Sequence, residues 1–234
     1  DDKVPSEKDR SLWNLLCLAM ISEGQHDKAI DRLQWVLKHE RASGTIKMQA
    51  TVEHNLAGAY MMDDQTDLAL EHVTNAVNNG RQAYGKDDPQ TLAFEATMAQ
   101  VLKDKGKINE AVTLLTKVVA GFEKTRGEKH PRTISSLSKL AISERGAGKA
   151  EDALKHARRA YLLGTEVLGA THPSTMHYRR ELVRCLIDSK IRSEATVHVE
   201  AVCKYYESKF PADHIEVKDS AALRQKVEAL PDDD

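Results

Sequence analysis

The sequence predicts an all-α fold, an α-solenoid of stacked helical hairpins. Three strings with a shared Pro-x-Thr pattern start 42 residues apart, at Asp88–Leu92, His130–Ile134 and His172–Met176. A second marker, Asn109–Val112, Glu151–Leu154 and Ser193–Thr196, keeps the same spacing. Charged residues make up 30% of the chain and aromatic residues only 5%, which is typical of amphipathic helices. A fixed period of this length indicates repeats that are each too small to bury their own apolar face.

Each repeat is predicted to be a pair of helices. A small residue opens the second helix of every unit and serves below as the reference alanine: Ala29, Ala69, Ala111, Ala153 and Ala195. Apolar residues four, seven and eight positions after it form one stripe on that helix. Five positions before it the sequence has Gly24, Asp64, Gly106, Gly148 and Lys190. Because Gly and Asp tolerate the left-handed backbone that ends a helix, this position predicts a tight turn.

The first helix of each unit has a core position thirteen residues before the reference alanine. It holds Leu16, Leu56, Met98, Leu140 and Leu182. Pro89, Pro131 and Pro173 suit the first turn of their helices, and Thr91, Thr133 and Thr175 are expected to cap them.

These signals predict one domain over residues 1–234. The hairpins are expected at about 8–46, 47–88, 89–130, 131–172 and 173–214. A capping helix is predicted over 215–230, with Ala222, Leu223, Val227 and Leu230 facing inward.

Composition argues against several classes of function. The net charge of −2 gives no general attraction to nucleic acids or anionic membranes. The longest apolar run, Leu15–Ile21, is too short to span a bilayer, and the start of the sequence does not resemble a signal peptide. Cys17, Cys185 and Cys203 lack metal-type spacing and are expected to be buried, reduced thiols. We therefore expect a cytoplasmic protein that binds neither nucleic acid nor membrane.

The histidines do not indicate a metal site. His130, His172 and His214 share the repeat spacing, so each belongs to a different unit and is expected to be a linker residue. Metal ligands must lie about 2 Å from one ion, whereas stacked hairpins are separated by roughly the diameter of a helix, about 10 Å. The sequence contains no zinc-protease, phosphate-loop or nucleophile-elbow motif, and we expect no metal and no cofactor.

The repeats resemble those of the tetratricopeptide family, in particular the 42-residue kinesin light chain type. The resemblance rests on the linker motif in Gly127–Thr133 and Gly169–Thr175, and on Leu140-Ala141 and His54–Ala57 in the first helices. It covers roughly residues 8–214. It implies a right-handed superhelix whose first helices line a concave peptide-binding groove. In that family asparagines clamp the peptide backbone, and Asn14 and Asn55 occupy such positions, whereas the later units hold other residues there.

Groove residues are predicted on the first helices, mainly eight, eleven and fifteen positions before the reference alanine. The predicted set is Asn14, Leu18, Ile21, His54, Asn55, Met61, Gln100, Lys103, Arg145, His177, Arg180 and Arg184. The N-terminal half is apolar and the C-terminal half is cationic, which favours an extended ligand with an apolar end and an acidic end. The alternative is that the arginines pair with neighbours such as Glu144 and Glu181.

Glu144 departs from the repeat pattern, because its counterparts nine residues before the other reference alanines are apolar. A buried carboxylate needs a partner. We expect a salt bridge to an arginine on the next hairpin, or alternatively a functional carboxylate in the groove.

The function that the sequence favours is a non-enzymatic scaffold that binds an extended, partly acidic segment of a partner protein. The alternative is an enzyme or small-molecule sensor that uses the groove as a pocket, with His54, Tyr60, Glu144 and Arg184 as its candidate residues. Either could be part of a larger multidomain protein, and the sequence does not indicate an oligomeric state.

Overall fold

The computed structural model describes residues 7–232, except for the side chains of residues 7–11, 22 and 43. These residues form eleven α-helices and no strand, which confirms the predicted all-α solenoid. The helices are α1 (Glu7–Ser22), α2 (His26–Ser43), α3 (Ile46–Met62), α4 (Thr66–Tyr84), α5 (Pro89–Asp104), α6 (Ile108–Arg126), α7 (Pro131–Gly146), α8 (Ala150–Leu168), α9 (Pro173–Asp188), α10 (Arg192–Lys209) and α11 (Ile215–Glu228).

The chain divides into two compact units, with the boundary between Gly121 and Phe122 in α6. In the N-terminal unit, α2 packs on α3 and α4 packs on α5, so each second helix also contacts the following first helix. The C-terminal unit repeats this arrangement with α8 on α9 and α10 on α11. The single domain predicted for the whole chain stays a prediction.

The predicted tight turns are present between the two helices of each hairpin. Asp64 and Lys190 have φ values of 55° and 57°, in the left-handed region that the three glycines at this position also adopt. Glycine carries no steric penalty there, which explains why it is the commonest residue at this position.

The linker histidines cap the helices that follow them. The side chains of His130, His172 and His214 accept hydrogen bonds from the backbone N–H two residues later, at the starts of α7, α9 and α11. Among the described residues no group of three His, Cys, Asp or Glu side chains is placed to hold a metal ion.

The prediction that the threonines cap these helices is wrong. Proline occupies the first turn, so the residue before it becomes the cap and the threonine lies inside the helix. The hydroxyls of Thr133 and Thr175 instead donate to the carbonyl oxygens of Gly127 and Gly164, at 2.8 and 3.0 Å.

Residues at the predicted repeat positions form the hydrophobic cores of the two units. All five reference alanines are fully buried, as are Leu56, Leu140 and Leu182 in the core layer of the first helices. Leu16, at the same position of α1, is instead exposed. The three cysteines are free and buried, as predicted.

The capping helix differs in detail from its prediction. Leu223 and Val227 face inward, but Ala222 is exposed, and Val217 and Ser220 are buried in its place. No helix among the described residues is long and apolar enough to cross a membrane.

The junction between α4 and α5 combines a glycine with a buried carboxylate. A Cβ atom added to Gly80 on α4 would lie 2.8 Å from the ring of Phe94 on α5, so the ring packs directly on the helix backbone. The next residue, Arg81, donates to the buried carboxylate of Glu95 at 2.7 Å. Arg41 binds Glu53 at 2.8 Å in the same way at the junction between α2 and α3.

Candidate peptide-binding faces of the first helices

The two asparagines of the N-terminal unit bond to each other. Asn55 Nδ2 donates to Asn14 Oδ1 at 2.7 Å, and both residues are more than nine-tenths buried. The pair ties α3 to α1 and leaves little of either amide open to a ligand. His54 lies beside it, with its Nε2 2.9 Å from the Thr97 hydroxyl and its ring centre 5.0 Å from that of Phe94.

Apolar residues of this unit differ in their exposure. Ile21 and Met61 are half-buried and pack against the core, whereas Leu18 is 43% exposed. Leu18 therefore offers apolar surface on the first-helix face. Met62, which follows Met61 and was not in the predicted set, is 63% exposed.

The polar groups on α5 are engaged locally. Gln100 donates to Asp104 at 3.0 Å, and the Lys103 ammonium lies 3.2 Å from the same carboxylate. Asp104 therefore offsets the charge of Lys103.

In the C-terminal unit, Arg180 is a structural residue. Its side chain is 12% exposed, binds Glu216 on α11 and lies 5.6 Å from the centre of the Tyr206 ring. His177, one turn earlier, is half-buried, and burial lowers the pKa of its imidazole. Arg180 therefore holds α9 against α10 and α11.

Arg145 and Arg184 converge on a cavity of about 200 Å³. Its lining residues come from α7, α9 and α11: Arg145, Arg184, Ile187, Asp188, Leu223 and Lys226. Arg184 binds the buried carboxylate of Glu181, and Arg145 lies 3.5 Å from Asp188. The Arg145 Nε is buried and has no hydrogen-bond acceptor among the described residues. Four cationic or titratable residues were predicted for the groove of this unit: Arg145, His177, Arg180 and Arg184. The structure brings Arg145 and Arg184 together at this cavity.

Lys226 is the functional candidate that the sequence analysis missed. It lies on the capping helix, outside the repeat register, so no counterpart in other units pointed to it. One signal was available, because Lys226 follows the inward-facing Leu223 by three residues and such residues share a helical face.

The expected partner of Glu144 was wrong. Glu144 is buried, and its Oε2 lies 2.7 Å from Nδ1 of His156 on α8, in the same hairpin. The arginine predicted on the next hairpin is not needed, because this position of α7 faces its own second helix.

The residues suspected for an enzyme each have local partners. The Tyr60 hydroxyl accepts from Gln34 at 2.7 Å, and its ring stacks on His72. Burial raises the pKa of the Cys185 thiol to about 12.

The geometry can be compared with known proteins. The family model of the tetratricopeptide repeat matches residues 48–124 and 92–161. A Clustered mitochondria protein homolog from Aspergillus niger is 25% identical over 170 residues, which cover 73% of this chain. The chain spans only 14% of that relative's length.

Two solved structures show the same fold. A variant of the kinesin light chain-like, nearly identical TPR-like repeats of Podosopora anserina superposes with a TM-score of 0.73 at 25% identity, over 86% of this chain and 97% of that one. A Rap protein complexed with competence and sporulation factor has a TM-score of 0.74 at 12% identity, over 96% of this chain and 66% of that one. The chain is therefore a tetratricopeptide repeat protein, and its repeats are similar to those of the kinesin light chain type.

Proposed function

We propose that this chain is a non-enzymatic interaction module that binds an extended, partly acidic segment of a cytoplasmic partner protein. The tetratricopeptide fold is a scaffold for protein–protein interaction, and the acidic character of the segment is our inference. The observation that carries the inference is the cavity where Arg145, Arg184 and Lys226 meet.

The charges around the cavity favour an anion. Three cations line it, of which Arg184 is bound to the buried Glu181 and Arg145 lies 3.5 Å from Asp188, so one positive charge remains in excess of the two carboxylates. The 3.5 Å between Arg145 and Asp188 is longer than the roughly 2.7–2.9 Å of a strong charge-assisted bond, so Arg145 keeps donor capacity for a ligand. A carboxylate entering the cavity supplies the acceptor that the buried Nε of Arg145 lacks.

The shape of the site suits a side chain of a peptide. A cavity of about 200 Å³ is smaller than the ~300–1,000 Å³ of typical small-molecule sites. Ile187 and Leu223 provide apolar walls that can hold the methylene groups of a glutamate. One ligand carboxylate fits here while the rest of the segment lies along the first helices of the C-terminal unit, α7 and α9.

The Rap protein, which shares this fold, was solved in complex with competence and sporulation factor. At 12% identity it supports the fold alone, so the ligand class rests on the residues of the cavity.

The proposal can be tested with Lys226→Glu, which reverses one charge of the cavity. Lys226 is exposed, so the substitution costs little stability. The matched control is Lys218→Glu, at an exposed position of the same helix outside the cavity. A peptide array pairs each acidic sequence with a version in which Gln and Asn replace Glu and Asp.

The wild type is expected to prefer the acidic member of the pairs it binds. Lys226→Glu is expected to weaken that binding about tenfold, equivalent to ~1.4 kcal/mol, while Lys218→Glu changes it less than about twofold. Equal binding of acidic and amide peptides, or equal effects of the two variants, would contradict the proposal.

A further inference from the structure

Gly58 lies inside a helix without a packing reason for being glycine. In the interior of α3, glycine is less favourable than alanine because it loses more backbone freedom on folding. A Cβ atom added to Gly58 would meet no side chain and no other helix within 4 Å among the described residues. Alanine would therefore fit at this position and strengthen the helix, so the packing of the hairpin does not explain the glycine.

Three other glycines inside helices do have a packing reason. An added Cβ atom would lie 2.8 Å from the ring of Phe94 at Gly80 and 2.7 Å from the ring of Tyr178 at Gly164. At Gly121 it would lie 2.8 Å from a leucine of α5. In these helices the glycine thus receives a bulky apolar side chain, in two cases an aromatic ring, directly on the helix backbone.

The register of the first helices places Gly58 on their predicted groove face. The hydrogen bond between the two asparagines and that of His54 join α1 to α3 and α3 to α5. One turn further along these helices come Leu18, Gly58 and Gln100, at the same position of the repeat. Leu18 is 43% exposed, and Gln100 donates to Asp104 on its own helix. Gly58 therefore lies between two side chains that leave its backbone uncovered.

The residues next to Gly58 favour an aromatic ring. Met61 and Met62 follow it by three and four residues and so share its face of α3, and Met62 is 63% exposed. Thioether sulfur makes favourable contacts with aromatic rings, and the flexible methionine side chain adapts to the shape of a ligand. A ring on the backbone of Gly58 would gain these contacts and remove apolar surface of Leu18 and Met62 from water.

We propose that the place bordered by Leu18, Gly58 and Met62, here called the Gly58 notch, binds an aromatic side chain of a partner protein. The occupant is a phenylalanine, tyrosine or tryptophan that anchors an extended segment on the first helices, as buried aromatic residues do in many interfaces. The notch is apolar and belongs to the N-terminal unit, so the proposal does not depend on the acidic-peptide site of the C-terminal unit.

The ring current of a bound aromatic side chain gives a direct test. The full chain, with ¹³C-labelled methionine methyl groups, is titrated with N-acetylphenylalanine amide at millimolar concentration, and N-acetylalanine amide is the control probe. We expect the methyl resonances of Met61 and Met62 to shift with the phenylalanine probe only. Met176, which is buried in the C-terminal unit, serves as the internal reference and should not shift.

Substitutions of the glycine locate the bound ring. Gly58→Leu fills the notch from within and is expected to weaken binding of the phenylalanine probe at least about tenfold. Gly58→Ala adds one methyl group and should weaken binding less, and its urea midpoint should be no lower than that of the wild type, since alanine favours the helix. The matched control is Asn78→Leu, which adds a leucine at an exposed position of α4 and should leave binding unchanged.

Three results would overturn the proposal. One is an equal response of Met61 and Met62 to the phenylalanine and alanine probes. Another is a phenylalanine-induced shift that Gly58→Leu leaves unchanged, since the ring would then bind elsewhere. The third is a Gly58→Ala chain that is less stable than the wild type, because the glycine would then have a structural role.

Discussion

Arg81, in the last turn of α4, binds the fully buried carboxylate of Glu95 on α5, with 2.7 Å between Nη2 and Oε1. Lys117 on α6 reaches the same carboxylate at 2.7 Å. One buried charge thus joins three successive helices, and two half-exposed cations compensate it.

Removing both cations is expected to be more costly than removing the carboxylate. Arg81→Ala/Lys117→Ala leaves Glu95 buried and unpaired, which should lower the free energy of unfolding by about 3 kcal/mol or more. Glu95→Gln leaves two cations that can turn to water and should cost about 1–2 kcal/mol. Urea denaturation of the three proteins measures the difference, and a smaller loss in the double variant would contradict this account.

Glu53 predicts a dependence of stability on pH. Burial alone would raise its pKa, but hydrogen bonds from His72 and Arg41 outweigh burial and bring the pKa below its usual value of 4.5. The unfolded state therefore takes up the proton first as the pH falls, so stability present above pH 4.5 is lost below it. Glu53→Gln should flatten the pH dependence of the urea midpoint in that window, and an unchanged slope would rule out this role.

Arg180 and Lys226 are expected to respond differently to charge reversal. Arg180→Glu places a carboxylate beside Glu216 in a site where the arginine is 12% exposed, so it should lower the free energy of unfolding by about 3 kcal/mol. Lys226→Glu, at an exposed site, should change it by less than about 1 kcal/mol. Thermal unfolding measures the stability of both variants. Equal losses of stability would show that Lys226 at the cavity is a structural residue as well.

The architecture could be predicted from the sequence because the repeat period reflects how the backbone is arranged. The reference alanines, the turn residues and the linker prolines each satisfy a local requirement of helix packing or of backbone angle, and such requirements are visible in the residue types. The exposure of Leu16 could not be predicted, since its residue type is that of a core position.

The candidate site was only partly predictable. The positions of Arg145 and Arg184 in the repeat register of the first helices identified them as candidates. The register could not distinguish them from Arg180, which binds Glu216 on α11, a helix outside the repeats. The same helix supplies Lys226. The partner of Glu144 was missed because a carboxylate at a core position of the sequence indicates that a partner is needed. It does not indicate the direction in which the side chain points.

The binding of a carboxylate in the cavity is the central claim, and the side-chain N–H signal of Arg145 tests it most directly. A glutamate-rich peptide selected from the array is titrated into the ¹⁵N-labelled chain and followed by NMR, with its glutamine counterpart as the control. We predict that the Nε–H resonances of Arg145 and Arg184 shift with the acidic peptide and stay in place with the amide peptide. Binding of the acidic peptide that leaves both resonances unmoved, or equal shifts with both peptides, would contradict the account.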